Sequence, residues 1–338
     1  YSGVVIYNFE TKKFRTLFNE QLQKENFKTP SQGLSHIFND GALMVEEQNH
    51  GRIILFNNQG ENLLVAKKDL NGNTEWAEKY GFEYQNGGNS IVYLNDGNIG
   101  ATGYSHINTV NQDILVIKIK VDDGSEIWKT TIGGDETDVG HDILPSNNGG
   151  MYILGETYSQ GDVEGDIWII ELNSEGSPID TVLIEGNGKQ VGYSFVQTDS
   201  GSFTIAGITS GSSGVTDALM LHVNELGEVE WTFSYGGIYN DIGYSLIYSD
   251  GGWVLAGQTY SYDVGDGDAW LLKVSEMGEF EWMQTYGGIN NDTALDINLA
   301  SDGGFIICGN TYIPGKQSDG WLLKTDSRGN YKGILSYP

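Results

Sequence analysis

The chain has 338 residues, and its 46 acidic against 18 basic side chains leave a formal net charge of −28. A surface of that sign repels phosphate backbones and anionic lipid, which argues against nucleic acid and membrane surfaces as partners, and no apolar run reaches the 18 or more residues of a membrane span. A single Cys excludes an internal disulfide and a Cys-built zinc site, while 48 Gly with 19 Tyr, 12 Phe and 8 Trp favour strands joined by tight turns.

The first residues, Tyr1-Ser2-Gly3-Val4-Val5, carry no initiating Met, basic start or apolar signal segment, so the chain reads as a processed part of a larger multidomain chain or assembly. Residues 4–9 and 14–18 predict a hairpin. With the linker after it, 1–30 is expected to be a cap or partial blade, and 31–338 a repeat domain.

From there one phrase recurs. Asn62, Asp113, Asp166, Asp217, Asp268 and Asp319 each open it, at intervals of 51, 53, 51, 51 and 51 residues. It reads Asp-Ala-Trp-Leu-Leu-Lys-Val at 268–274 and Asp-Gly-Trp-Leu-Leu-Lys-Thr at 319–325. A Gly follows (Gly72, Gly124, Gly176, Gly227, Gly278, Gly329), then Trp76, Trp128, Trp231 or Trp282, with Asp180 and Gly333 breaking the pattern. Next come Tyr-Gly-Gly or Ile-Gly-Gly, an Asp (Asp138, Asp241, Asp292), and a closing Asp-Gly-Gly or Asn-Gly-Gly before a further apolar run.

Each unit holds four short runs rich in β-branched and aromatic residues, separated by turn residues. Four strands per ~50 residues, repeated along the chain, predict an all-β propeller. Twisted four-stranded meanders are wedges, and packing wedges radially buries both faces, which explains apolar runs on successive residues. Framing a blade as strands near 98–104, 114–120, 126–131 and 142–146 gives six blades, with seven as the alternative count. In that frame the last blade lacks its outer strand. Residues 34–38 are expected to supply it and close the ring.

The phrase Gly-Asp-x-Trp-Leu-Leu-Lys…Gly…Trp…Tyr-Gly-Gly…Asp…Asp-Gly-Gly over about 40–338 resembles the repeats of secreted and surface-anchored bacterial and archaeal β-propeller proteins. The resemblance implies an extracellular, cell-surface or periplasmic setting beside adhesion or sorting modules. The strand–Asp-x-x-Gly-x-x-x-Trp portion is also similar to the tryptophan-docking segment of quinoprotein propellers. The vicinal Cys pair of those proteins is missing here, and no such activity is carried over.

Alternate connections fall on opposite faces. Asp-x-x-Gly and Asp-Gly-Gly turns are too short to shape a pocket, whereas the connections 105–112, 158–165, 210–216, 260–267 and 312–318 differ between copies. Rigid strands that display variable loops build a binding surface. Tyr158, Tyr260, Tyr262 and Tyr312 lie where strands run into those loops and are candidate ligand contacts for a protein or glycan; the competing reading has them plugging the loop bases. Asp263, Asp266 and Asp268, with Gly265 and Gly267 between, are candidate calcium ligands. The competing reading there is a solvated loop tip and an anchor Asp bonded to turn amides. The five His fall at different repeat positions, and no nucleophile elbow or phosphate loop appears. His141-Asp142 is the one local pair with catalytic types. The expected function is a non-enzymatic extracellular or cell-surface binding module, the alternatives being a glycan hydrolase or lyase with a carboxylate site in the channel, or a structural subunit of a surface layer or filament.

Overall fold

A tight turn decides which strands pair. In the computed structural model Asp138–Pro145 and Met151–Thr157 form an antiparallel hairpin, joined by a turn in which Gly149 takes φ +82° and its N–H donates to Ser146 O at 3.1 Å. The longer Gly-Gly connection before Asp138 instead carries the chain from one sheet to the next. The structure describes residues 3–8, 13–18, 35–37, 43–47, 51–57, 63–68, 74–82, 85–106, 111–161, 164–210, 214–262, 266–312 and 319–333.

Six successive sheets result. The first holds Ser35–Ile37, Leu43–Glu47, Gly51–Asn57, Leu63–Lys68 and Thr74–Tyr80. The second holds Asn86–Tyr93, Ile99–His106, Gln112–Ile119 and Glu126–Ile132, and the third Asp138–Pro145, Met151–Thr157, Asp166–Leu172 and Pro178–Ile184. The fourth contains Gln190–Gln197, Phe203–Ser210, Thr216–Val223 and Val229–Tyr235; the fifth Asp241–Tyr248, Gly252–Thr259, Asp268–Ser275 and Phe280–Tyr286; the sixth Asn291–Leu299, Phe305–Tyr312, Asp319–Thr325 and Tyr331–Gly333. Gly3–Asn8 and Lys13–Phe18 pair as a separate hairpin.

The first strands of sheets two to six touch one another in succession and so surround the axis. The all-β propeller expected from the repeat is therefore present, with its frame moved by one strand. The strand near 142–146 opens the third blade instead of closing the second, because the 146–150 turn ties it to Met151–Thr157. Residues 34–38 do not complete the last blade either. Ser35–Ile37 pairs with Leu43–Glu47 in the first sheet and lies against the last blade by contact with its two inner strands.

The core sits between sheets. Leu154, Ile167 and Ile169 of the third blade pack with Phe195, Ile205, Leu219 and Leu221 of the fourth. Ala206 and Met220 of the fourth pack with Trp253, Leu255 and Trp270 of the fifth. The lysine of the repeated Leu-Leu-Lys phrase is buried and pinned to a turn: Lys118 Nζ lies 2.8 Å from Asp96 and Lys324 Nζ 2.7 Å from Asp302. Cys308 is half-buried in Phe305–Tyr312. Among the described residues no helix is long and apolar enough to cross a membrane.

Candidate functional site at the loop-face end of the axis

The axis-lining strands share one irregularity. In sheets two to six the first strand carries a β-bulge near its start, and the strand register slips past Asn89, His141, Tyr193, Tyr244 and Leu295 in turn. A bulge adds an unpaired residue and re-aims its side chain. In three consecutive blades the bulged residue is an imidazole or a phenol. The His141 ring lies 5.2 Å from that of Tyr193 at 88°, and the Tyr193 ring 5.6 Å from that of Tyr244 at 33°. All three are half-buried. Neither phenol hydroxyl has a hydrogen-bond partner among the described residues.

Glu156, on the second strand of the third blade, braces this row. His141 Nε2 lies 3.2 Å from Glu156 Oε2, Tyr158 OH donates to Glu156 Oε1 at 2.7 Å, and Lys189 Nζ is 2.9 Å from that same Oε1. Lys189 also donates to Tyr158 OH at 2.8 Å. Burial alone would raise the Glu156 pKa, but the bonds from His141, Tyr158 and Lys189 outweigh it and hold the carboxyl at about 2. Burial works against the Lys189 charge too, and its bonds to Tyr158 and Glu156 win, raising its pKa. Burial, then Tyr244 and Glu156, push Tyr193 up to about 12. At neutral pH the site thus presents two neutral phenols, an imidazole and a closed carboxylate–ammonium pair.

His141 and Asp142 part company. Asp142 Oδ1 accepts Ser90 Oγ at 2.8 Å and Ile143 N at 2.9 Å, and its Oδ2 accepts Phe195 N at 3.2 Å. It links three blades and takes no part in the Glu156 cluster.

Tyr158 and Tyr260 cover the bases of their loops. Gly165 (φ +99°) and Gly267 (φ +110°) run beneath their rings, where a Cβ would collide with the aromatic carbons. Tyr260 OH accepts Asn291 Nδ2 at 2.7 Å, and Gln258 Nε2 donates to Asn291 Oδ1 at 2.7 Å. This is the neutral copy of the Glu156–Tyr158–Lys189 arrangement, so the scaffold is repeated and its charge belongs to the third blade. Tyr262 is 42% exposed, donates to Gly236 O at 2.7 Å and stacks on Trp270. Tyr312 ends the strand Phe305–Tyr312, and its side chain lies outside the described residues.

Of the three candidate calcium ligands, Asp263 lies outside the described residues. Asp266 is exposed, and its backbone carbonyl accepts Asn291 Nδ2 at 2.9 Å. Asp268 is buried at the start of its strand, near Asp292 and Gly287. Among the described residues no group of three or more His, Cys, Asp or Glu side chains is placed to hold a metal ion.

Glu156, Lys189, Tyr193 and Tyr244 did not stand out in the sequence. For the two tyrosines the signal was the column after the Gly of each inner strand: Gly140-His141-Asp142, Gly192-Tyr193-Ser194, Gly243-Tyr244-Ser245.

No protein-family model matches the chain. No curated protein matches it either. Solved structures with the same fold do. A protein of unknown function from Bacteroides caccae superposes with a TM-score of 0.53 at 14% identity, covering 83% of this chain and 91% of its own. A PL25 ulvan lyase bound to -[GlcA(1-4)Rha3S]- gives 0.55 at 10% identity, with 97% and 87% covered, and a glucose dehydrogenase 0.50 at 10%, with 88% and 98%. The chain is similar to β-propeller proteins in fold.

Proposed function

We propose that this is an extracellular or cell-surface binding module of the secreted propeller-repeat kind, and that it holds a neutral glycan at the loop-face end of its axis. The observation that carries the reading is the row His141, Tyr193 and Tyr244, bulged toward the axis, with two hydroxyls free of partners among the described residues. Phenols offer a sugar both an apolar face and a donor–acceptor tip. The net charge of −28 disfavours a polyanionic ligand, and Lys189 is already neutralised by Glu156.

A glycan array followed by calorimetry on the best ligand tests it. Binding without product is the expected outcome. The Tyr193→Phe/Tyr244→Phe double variant should bind at least about fivefold more weakly, since each hydroxyl bond contributes about 0.5–1.5 kcal/mol. Its melting temperature should match the parent, because neither hydroxyl supports the fold. Unchanged affinity would move the ligand elsewhere, and chromatographic detection of cleaved product would replace this reading with a hydrolase or lyase.

A protein partner is the second reading, favoured by Ile238, Tyr239 and Ile289 on the same face, which are 76%, 59% and 82% exposed. Ile238→Asp/Ile289→Asp would abolish such binding and leave glycan binding intact.

A further inference from the structure

Three blade boundaries set two carboxylates against each other. Asp113 meets Asp138, Asp217 meets Asp241 and Asp268 meets Asp292, in each case across the first Gly of a Gly-Gly connection. At the boundary between the second and third blades, Asp113 Oδ1 and Asp138 Oδ2 both lie within 2.7 Å of the point where a Cβ on Gly133 would stand. Asp138 is fully buried and Asp113 is 9% exposed. Two like charges in that position are costly unless something positive joins them.

The hydrogen bonds show where it would sit. Asp138 Oδ2 is satisfied by Gly134 N at 3.0 Å and Ser159 Oγ at 2.7 Å. Asp138 Oδ1 and Asp113 Oδ1 have no partner among the described residues. Independently of the acids, the hydroxyl of Ser105 is also unpartnered among them; this residue is completely buried and stands directly opposite Asp113 in the strand register, so the two side chains share one side of the sheet. Elsewhere the slot is closed only in part, since Asp217 Oδ1 also has no hydrogen-bond partner among the described residues. Thr259 Oγ1 donates to Asp241 Oδ1. At the third-to-fourth boundary Gln190 replaces the second Asp, and Asp166 Oδ1 accepts Gly186 N at 3.2 Å.

We infer that the boundary between the second and third blades binds a hard cation of the calcium class, with Asp113 Oδ1, Asp138 Oδ1 and Ser105 Oγ as its side-chain ligands. Two carboxylates and a hydroxyl fall short of a full calcium shell, which backbone carbonyls and water complete, and place the affinity in the weak, millimolar class of extracellular modules. The cation fastens two blades, so its role is in the rigidity of the ring and is separate from the glycan site.

Calcium chloride titrated into the EDTA-treated, dialysed chain at fixed ionic strength, up to about 10 mM, should give saturable heat and raise the melting temperature. Asp113→Asn should abolish both while melting, without calcium, at or above the parent, because the like-charge pair is relieved. The fold tolerates an amide there, as Asp166 with Gln190 shows. Asp266→Asn, in the exposed acidic loop, should retain both signals. No saturable heat in the parent, or undiminished binding by Asp113→Asn, overturns the inference. A parent that gains as much stability from lowering the pH as from calcium, and binds none, would show a shared proton in its place.

Discussion

Trp231 lies on Gly278 of the next blade, and the same clasp recurs as Trp76 on Gly124, Trp128 on Gly176 and Trp282 on Gly329. The glycine takes a left-handed φ of +74° to +82° at these positions and leaves no room for a Cβ under the indole. The clasp is polar as well as apolar: Trp76 Nε1 donates to Val121 O at 3.0 Å, Trp128 Nε1 to Ser174 O at 2.9 Å, and Tyr80, Tyr235 and Tyr286 donate to the glycine carbonyls. Trp231 is 8% exposed and stacked on His222, so Trp231→Ala should cost about 3–5 kcal/mol in denaturant unfolding. Trp282, in the same column of the repeat, is only half-buried and should cost less. Equal losses for the two would show that burial does not set the value of the clasp. These residues were legible because one geometry demands one residue type in most copies. The bulge column was not, since a bulge tolerates Asn, His, Tyr or Leu alike and its chemistry differs from blade to blade. The loop tyrosines were legible as positions only; whether a phenol points out or caps its own loop depends on Lys189 or Asn291 arriving from the next blade.

The inner strands are the elements that join neighbours, and Asp142 shows how. Its carboxylate ties Ser90 of the second blade to Phe195 of the fourth, and a related link runs from Ser245 Oγ to Asp296 Oδ1 at 2.8 Å. Burial raises Asp142 to about 6 against the three bonds that favour its ionised form. A carboxyl with a folded pKa above its unfolded value of 3.8 holds its proton longer in the native state, so its contribution is fully present below about pH 4 and is lost as pH rises through about 6. The loss is on the order of 3 kcal/mol at most. Asp142→Asn, which cannot ionise, should therefore gain on the parent between pH 4 and pH 7 when both are unfolded in urea. A constant gap across that range would mean that Asp142 is ionised throughout. Glu156 runs the other way: its contribution is present above 4.5 and is lost as pH falls toward about 2. Strand existence was clear from the apolar runs, whereas the blade frame was not. A repeat has no intrinsic start, and only the short 146–150 turn, set against the longer Gly-Gly crossing, fixes which strand opens each sheet.

At the scale of the molecule the question is how a ring of sheets is held shut. Among the described residues the outer strand of the last blade is Tyr331–Gly333, paired to the end of Asp319–Thr325. The strand Gly3–Asn8 of the N-terminal hairpin lies against Asp319–Thr325, and Ser35–Ile37 spans from the first sheet to the inner strands of the last. The N-terminal segment therefore meets the last blade at two depths, once toward its outer edge and once beside the axis. Two deletions separate them. Removing residues 1–20 takes away the hairpin but leaves all six sheets with their strands, so a single calorimetric transition shifted down by a few degrees is expected. Removing residues 1–40 also takes the strand Ser35–Ile37, and the first and last sheets then meet along a bare edge. Broadened, multi-step unfolding with concentration-dependent association in sedimentation is the expected outcome. A 1–40 deletion that stays monomeric and melts like the 1–20 deletion would show that sheets one and six hold the ring by face packing alone. The inner strand would then be an ornament of the first blade and not its fastening.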